Sequence, residues 1–133
     1  MIPQPVGLNA EFYAWCARGE LRFQRCDSCR AWRHPPRFAC AACGSSEWSW
    51  ARSAGRGRVF TWTVTHQALD PAFADRVPYA VVVAELDEGP RLVGNLRGIA
   101  VDELRLELPV EVVFEPVSDT VALTHFGPVG SGR

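Results

Sequence analysis

Four of the five cysteines in this 133-residue chain carry its strongest chemical signal. They form two Cys-x-x-Cys pairs with ten residues between them, at Cys26, Cys29, Cys40 and Cys43. Each pair offers two thiolates to one tetrahedral zinc ion, at about 2.3 Å from the metal. Iron in a rubredoxin-type site is the alternative metal, and disulfides are disfavoured if the chain is cytosolic. Four thiolates leave no position for water or substrate, so we expect a structural site.

The remaining reactive side chains form no catalytic set. His34, His66 and His125 are scattered along the chain, and we expect structural or surface roles for them. Cys16 falls on a predicted helix, where a small buried apolar role is the usual one. The adjacent acids Asp87–Glu88 lie on a predicted turn, where their side chains diverge instead of facing each other as an acid and a base. We therefore expect no catalytic residue and no enzyme activity from this chain alone.

Charge is distributed unevenly although the net charge is only -1. Residues 18–58 hold nine arginines and three acids, whereas residues 59–133 hold five arginines and eleven acids. The basic surplus is either a solvated surface that partly compensates a zinc–thiolate site, or a docking face for phosphate or an acidic partner. All 14 basic residues are arginine, which excludes lysine Schiff-base chemistry for this chain.

Nothing in the sequence predicts a membrane segment. The longest apolar run, Tyr79–Ala84, is far shorter than the roughly 18 residues that a bilayer-spanning helix requires. The first residues resemble neither a signal nor a transit peptide. We expect a cytoplasmic protein with no membrane partner.

The elements that must position the cysteines follow from local patterns. A short helix is predicted from Ala10 to Arg18, capped by Asn9 and ended by Gly19. Brief strands at Leu21–Cys26 and Glu47–Ser53 flank the two cysteine pairs. The predicted division is a helical segment at 1–20, a zinc ribbon at 21–54, a β-barrel domain at 55–127 and a disordered tail at 128–133.

The second half reads as a succession of strands. We predict five: Arg58–His66, Pro78–Leu86, Arg91–Leu96, Pro109–Val117 and Val121–Phe126. A longer loop at Gln67–Val77 and a short helical or turn segment near Val101–Arg105 interrupt them. In the first strand, alternation predicts Val59, Thr61, Thr63 and Thr65 on one face and Phe60, Trp62 and Val64 on the other. Five such strands suit a small closed barrel of the OB type, so the predicted fold class is mainly β.

Several ordered motifs together resemble a known family. They are an amphipathic helix, a four-cysteine ribbon with "HPPR" between its pairs, a "GRG" turn, "VFTWTVTH", "PYAVVVAELDEG" and "PVEVVFEPV". This order is similar to the zinc-ribbon and OB-fold acyl-CoA-associated family, long catalogued as domain of unknown function 35. The likeness extends from about Phe12 to Phe126.

The resemblance implies an N-terminal helix, a rubredoxin-like ribbon and an OB barrel. It implies a thiolase-fold partner that carries out chemistry on acyl-CoA, with this chain stabilising the partner and shaping its substrate channel in a hetero-oligomer. Retro-aldol cleavage of the steroid side-chain type is favoured slightly over acyl transfer. The resemblance also implies that the four cysteines are metal ligands.

On the same resemblance, four barrel residues are candidates for a face that binds CoA or the partner. They are Arg56, Arg58, Trp62 and Tyr79. The chain departs from the family pattern at two places. Arg30 replaces a usual glycine after the first pair, where it could perturb hydrogen bonds to a thiolate, and "RLELPV" at Arg105 to Val110 replaces a usual Gly-Met before the proline.

Two other functions stay open at this point. Zinc ribbons and OB barrels also bind nucleic acid, and Phe60, Trp62 and Tyr79 could stack on bases, but the acidic second half opposes phosphate binding. The barrel could instead bind CoA, with Arg56 and Arg58 on phosphate oxygens and Trp62 on adenine. For Trp62, packing inside the barrel is the competing structural role.

Overall fold

A computed structural model describes residues 4–66 and 78–130 of the chain. The predicted loop at 67–77 lies outside the described residues, as do the last three residues of the predicted tail. Within the described part, no helix combines the length and the apolar character that crossing a membrane requires. The architecture is mainly β, as predicted, with one α-helix ahead of two sheets.

The N-terminal helix α1 spans Gly7–Ala17 and begins one turn earlier than predicted. Asn9 is therefore inside the helix, and the N-cap position, Val6, provides no side-chain hydrogen bond. The predicted end is confirmed, because Gly19 adopts φ 78° and its N–H donates to the Cys16 carbonyl at 2.9 Å. Such a left-handed residue after the last turn satisfies carbonyls that the helix leaves unpaired.

The ribbon is a small antiparallel sheet. Its strands are β1 at Arg22–Cys26, β2 at Trp32–Arg33 and β3 at Trp48–Arg52, in the order β2-β1-β3. β1 and β3 lie where the sequence predicts them, and β2 was not predicted. Two residues carry no readable alternation, so β2 exists only because it pairs with β1, with Gln24 opposite Arg33.

The second sheet has five antiparallel strands. They are β4 at Arg56–Thr65, β5 at Tyr79–Leu86, β6 at Arg91–Asn95, β7 at Pro109–Pro116 and β8 at Ala122–Gly127. Their order is β6-β5-β4-β7-β8. All five predicted strands are present, and a 3-10 turn at Val101–Glu103 occupies the predicted helical or turn segment.

A β-bulge in β4 overturns the predicted division of its faces. The pairing with β5 shifts between Val59 and Thr61, which leaves Phe60 as the extra residue. An extra residue inverts the alternation beyond it, so Val59 is buried and Trp62 and Val64 pack against the same core. Phe60 is pushed outward, 44% exposed, where the Arg91 guanidinium lies 3.7 Å from its ring centroid.

The expected closed barrel is not formed. Edge strands β6 and β8 meet through one isolated parallel bridge, Leu96 to Phe126. Next to it, the Asn95 N–H donates to Nδ1 of the His125 side chain at 3.3 Å, so an imidazole takes a place that a carbonyl would hold in a continuous ladder. Gly94 permits the close approach, because a Cβ there would lie 2.5 Å from the Thr124 carbonyl oxygen.

One apolar core connects the helix, the ribbon and the five-stranded sheet. It contains Phe12 and Cys16 from α1, Phe23 from β1, and buried residues of the larger sheet that include Val82 and Phe126. Glu88 in the β5–β6 turn also connects the two sheets. Its carboxylate accepts hydrogen bonds from Ser53 Oγ at 2.7 Å and from the Ala54 N–H at 3.0 Å, so Glu88 fastens the linker between the two sheets.

Candidate metal centre

The four cysteines of the two pairs converge on one point. The ribbon brings the sulfur atoms of Cys26, Cys29, Cys40 and Cys43 within 4.8 Å of one another. Two contacts join the pairs, Cys26 to Cys43 and Cys29 to Cys40, both at 3.6 Å. Sulfur atoms at about 2.3 Å from a tetrahedral ion lie roughly 3.8 Å apart. The sulfur cage therefore fits one ion bound by both pairs.

Backbone groups around Cys26 and Cys40 favour the deprotonated ligands that a metal needs. The N–H of Cys29 points at the Cys26 sulfur at 3.4 Å, and this hydrogen bond is the main reason that the pKa of Cys26 is lowered to about 6. The N–H of Cys43 and that of Ala42 lower the pKa of Cys40 in the same way. Since a metal binds the thiolate, these donors favour two of the four ligands. At Cys43 the Ser45 backbone lowers the pKa, but the hydrogen bond with Cys26 and burial outweigh it and raise the pKa to about 11.

The number of thiolates determines what chemistry this site can carry out. Cys26 and Cys40 are buried, whereas Cys29 and Cys43 lie at the surface. Four thiolates complete a tetrahedral shell, which is the arrangement of structural sites and not of catalytic ones. The centre can therefore hold the ribbon together and has no open position for a substrate.

The residue after each cysteine pair adopts a left-handed backbone conformation. Gly44 follows the second pair with φ 78°, and Arg30 follows the first with φ 68°. Each donates its N–H to the carbonyl of the first cysteine of its pair, Arg30 to Cys26 at 2.9 Å and Gly44 to Cys40 at 2.7 Å. Arg30 thus preserves the turn, and the Cys29 N–H still reaches the Cys26 sulfur. Its cost is backbone strain, since left-handed φ is unfavourable for a residue with a Cβ.

The four candidate barrel residues do not form one cluster. Arg56 lies 3.7 Å from Glu111, and Arg58 lies 2.7 Å from both Glu85 and Glu107. In the β4–β5 register, Arg58 pairs with Glu85, whereas Tyr79 pairs with Thr65 at the opposite end. Six residues along a strand correspond to about 20 Å. The two arginines and Tyr79 therefore belong to different ends of the sheet.

Trp62 and Tyr79 have different surroundings. Trp62 is half-buried and packs against the core. Tyr79 lines a cavity of about 880 Å³ at the end of the sheet, together with Asn95, Arg97, Ile99 and other residues of β5, β6 and the 3-10 turn. Asn95 and Arg97 were not singled out from the sequence, because only the strand register brings them beside Tyr79.

The histidines lie on separate elements. His34 packs between Phe12 and Phe23, with ring centroids at 4.7 Å and 5.2 Å, and burial lowers its pKa to about 4. His125 donates from Nε2 to Glu115 Oε1 at 2.7 Å, since its Nδ1 accepts from Asn95. Burial is the main cause of the lowered pKa of His125.

Cys16 is fully buried in α1, 1% exposed, and burial raises its pKa to about 12. A thiol with so high a pKa stays protonated and is a poor nucleophile. Its surroundings are those of a small core residue.

Gln24 was missed by the sequence reasoning although it organises the ribbon. It is completely buried in β1. Its Oε1 accepts from Arg33 Nε at 2.8 Å and from the Arg37 N–H at 2.6 Å, and its Nε2 donates to the Arg37 carbonyl at 2.8 Å. The one uncharged polar residue in the strand entering the first cysteine pair was the available signal, but its partners depend on the tertiary fold.

Comparison with known proteins agrees with this architecture. Residues 16–49 match the family model described as "ChsH2, rubredoxin-like zinc ribbon domain", and residues 50–115 match "ChsH2, C-terminal OB-fold domain". A solved structure described as "Ltp2-ChsH2(DUF35) aldolase" superposes with a TM-score of 0.85 and 37% identity, covering 96% of this chain and 98% of that one. A DUF35 protein of unknown function from Sulfolobus solfataricus, 10% identical with a TM-score of 0.61, shares the fold over 89% of this chain and 82% of its own.

Curated relatives extend the comparison. A probable enoyl-CoA hydratase alpha subunit of Thermomonospora curvata is 38% identical over 90% of this chain, which spans 37% of that protein. A 3-oxo-4,17-pregnadiene-20-carboxyl-CoA hydratase alpha subunit of Mycobacterium tuberculosis is 35% identical over 86% of this chain and 36% of its own length. A DUF35 domain-containing scaffold protein of Methanocaldococcus jannaschii is 29% identical over 71% of this chain and 67% of its own. The chain thus spans about a third of the two hydratase subunits.

The match of both domains in order, together with the full-length superposition, shows that the predicted resemblance was correct: this chain belongs to the DUF35 family, in which a rubredoxin-like zinc ribbon precedes an OB-fold domain.

Proposed function

We propose that this chain is a noncatalytic accessory subunit that docks on a thiolase-fold enzyme acting on acyl-CoA thioesters. The observation that carries the proposal is the full-length superposition on the DUF35 chain of an aldolase, at 37% identity. The names of the two hydratase subunits, both acting on CoA thioesters, support the same class of substrate. In this proposal the partner carries the reacting groups, and the present chain stabilises it and shapes its substrate channel.

Within this class, we favour retro-aldol cleavage of a steroid-type side chain, with acyl transfer as the second choice. The aldolase description of the structural neighbour supports that order. Zinc is the proposed metal, supported by the zinc-ribbon match and the sulfur cage, and iron is its substitute in the same geometry. The proposed location is the cytoplasm, where four reduced cysteines are stable.

The contacts of the barrel residues bear on the alternative of a stand-alone CoA or nucleic-acid binder. Arg58 sits between two carboxylates, and Trp62 packs against the core. An arginine that already pairs with acids must give up those pairs to bind a phosphate, and a packed indole offers less surface for stacking. We therefore rank this alternative second and propose that Arg56, Arg58, Trp62 and Tyr79 serve the fold or the partner.

Co-expression with a thiolase-like protein encoded beside this chain tests the proposal. We expect the two proteins to elute together from a sizing column and the partner to lose solubility or activity when expressed alone. A partner that is soluble and fully active alone, and that never elutes with this chain, would contradict the proposal. Calorimetry with CoA and with a single-stranded oligonucleotide, on this chain alone, tests the alternative.

A further inference from the structure

The two edge strands of the larger sheet meet at a short seam. Backbone atoms contribute the Leu96–Phe126 bridge and a hydrogen bond from the Arg97 N–H to the Phe126 carbonyl at 2.7 Å. A side chain makes the next contact, since the Asn95 N–H donates to Nδ1 of His125 at 3.3 Å. We call these three contacts the β6–β8 seam. An imidazole nitrogen accepts a hydrogen bond only while it carries no proton, so the third contact depends on the protonation state of His125.

The second nitrogen of the imidazole determines where the proton of the neutral ring lies. His125 is 5% exposed, and its Nε2 lies 2.7 Å from Oε1 of Glu115. A carboxylate accepts hydrogen bonds, so the neutral ring carries its proton on Nε2 and accepts at Nδ1 from Asn95. A further proton binds at Nδ1 and turns that nitrogen into a donor. Two N–H groups then face each other across 3.3 Å, and the hydrogen bond of the seam is lost.

The surroundings of the ring favour its neutral form. Burial lowers the pKa of His125 below its ordinary value, the hydrogen bond to Glu115 of β7 opposes that shift, and the charge of Arg97 adds to it. Arg97 Nη2 lies 3.3 Å from Nε2 of the ring and 3.7 Å from Oε1 of Glu115, so after protonation one carboxylate would face two cations. From the other packed elements, Tyr13 of α1 and the uncharged Val81 of β5 line a small cavity beside the ring. The closed seam therefore holds a neutral imidazole.

We propose that His125 is a proton-sensitive clamp between the two edge strands: its neutral ring holds the β6–β8 seam together, and protonation at Nδ1 opens the seam. Because the pKa is lowered in the folded protein, the closed seam is fully favoured above about pH 6.5 and weakens as the pH falls through the pKa of the folded state. Asn95, Leu96 and Arg97 also line the cavity of about 880 Å³, so opening changes one wall of that cavity. The clamp is a property of this chain alone and does not depend on the proposed function.

Amide hydrogen exchange, measured by NMR on the full-length protein with metal bound, tests the clamp. The measured quantity is the protection factor of the Asn95 and Arg97 amides, which corrects for the intrinsic pH dependence of exchange, between about pH 7.5 and about pH 4.5. The ring signals of His125 give its pKa in the same samples. Val59 provides the control amide, because its N–H donates to the Leu108 carbonyl at 2.9 Å, outside the seam. Bound metal per chain is measured at each pH.

We expect the protection factors of Asn95 and Arg97 to fall about tenfold or more as the pH passes through the pKa of His125, and that of Val59 to change less than about twofold. His125→Asn is the matched variant, because its Oδ1 can accept from the Asn95 N–H where Nδ1 did and does not titrate in this range. In His125→Asn the protection of Asn95 should therefore stay constant with pH. Constant protection of Asn95 in the wild type, or an equal fall in His125→Asn, would overturn the clamp.

Two further variants keep the test decisive if His125→Asn does not fold. Glu115→Gln removes the group that favours the imidazolium and should lower the pKa of His125, whereas Arg97→Gln removes a cation and should raise it. The pH at which Asn95 loses half of its protection should move with that pKa, in opposite directions in the two variants. A midpoint that stays in place while the pKa moves would refute the clamp, as would a ring that stays neutral over the whole range in both the wild type and Arg97→Gln.

Discussion

The ribbon and the five-stranded sheet are stabilised in different ways. The ribbon has strands of five, two and five residues, too short to enclose an apolar interior of their own, and its four thiols converge on one point. The sheet has strands of five to ten residues and encloses a core that includes Val59, Val82 and Phe126. A small unit thus relies on metal coordination where a larger one relies on apolar burial.

The arginines of the two regions also differ in what their side chains contact. In the sheet, Arg56, Arg58, Arg91 and Arg97 each lie within 4.0 Å of a carboxylate. In the ribbon, Arg22 and Arg52 pair with Glu20, whereas Arg25 and Arg33 lie over indole rings. Arginines of the sheet are therefore neutralised mainly by carboxylates, whereas two arginines of the ribbon contact aromatic rings instead.

Removal of one cysteine of the sulfur cage should have the largest effect on the ribbon. Cys40→Ser should abolish stoichiometric metal binding and unfold the ribbon, because structural zinc contributes binding free energy of about 10–16 kcal/mol to such modules. Metal analysis of the purified protein and amide signals of the ribbon in NMR spectra measure the effect. Cys16→Ala is the control, since Cys16 lies in α1 outside the sulfur cage and its loss should leave the metal bound. A Cys40→Ser protein with one metal per chain and an intact ribbon would contradict the role given to the centre.

Replacing phenylalanine by alanine tests how much apolar burial stabilises each region. Phe126→Ala should lower the free energy of unfolding by about 3–5 kcal/mol, because a completely buried ring is removed from the core. The same change at exposed Phe38 should cost less than about 0.5 kcal/mol. Denaturant unfolding of both variants with metal bound measures the difference. Equal effects would show that the two regions do not differ in how they use aromatic residues.

Acid should weaken the contact between the helix and the ribbon through His34. Its pKa in the folded protein is about 4, below the ordinary value of about 6.5, so the unfolded state binds the proton more readily. Stability from the neutral ring is fully present above pH 6.5 and declines as the pH falls toward 4, by up to about 3 kcal/mol. His34→Phe removes this titration, and Nδ1 has no hydrogen-bond partner among the described residues that the change would remove.

We therefore expect the wild type to lose more stability than His34→Phe between pH 6.5 and pH 4. Loss of metal in acid affects both proteins alike, so the difference between them isolates the ring. Parallel pH profiles of unfolding would refute the assignment of His34.

The smallest expected change in stability comes from replacing a residue with positive φ by glycine. Each region offers one such residue, so the two can be compared directly. Arg30 in the ribbon and Glu107 before β7 are the described non-glycine residues with positive φ, at 68° and 66°. Arg30→Gly should stabilise the protein by about 0.5–1 kcal/mol, because relief of the left-handed strain exceeds the added freedom of the unfolded chain.

Glu107→Gly relieves the same strain but removes the ion pair with Arg58, so its net effect should be close to zero. Thermal unfolding of both variants with metal bound provides the comparison. A gain at Glu107 as large as that at Arg30 would mean that the Arg58 pair contributes nothing.

The sequence by itself determined the features that depend on residue types and short spacings. The four cysteines whose sulfurs converge follow from two Cys-x-x-Cys pairs, and the end of α1 follows from Gly19. All five strands of the larger sheet follow from β-branched runs bounded by turn residues. The departure at Arg30 was visible as a missing glycine, although its conformation was not.

Only the tertiary structure decided what depends on contacts between distant segments. Local alternation could not reveal the bulge at Phe60, because a bulge is defined by the partner strand. Nor could it reveal that the His125 side chain accepts a hydrogen bond from Asn95 of the other edge strand, where a continuous strand pairing was expected. The hydrogen bonds that hold the Arg37 backbone to Gln24 were equally hidden. Arg58 looked available for phosphate until the fold placed Glu85 and Glu107 beside it, since charges separated in sequence become partners only when strands pair.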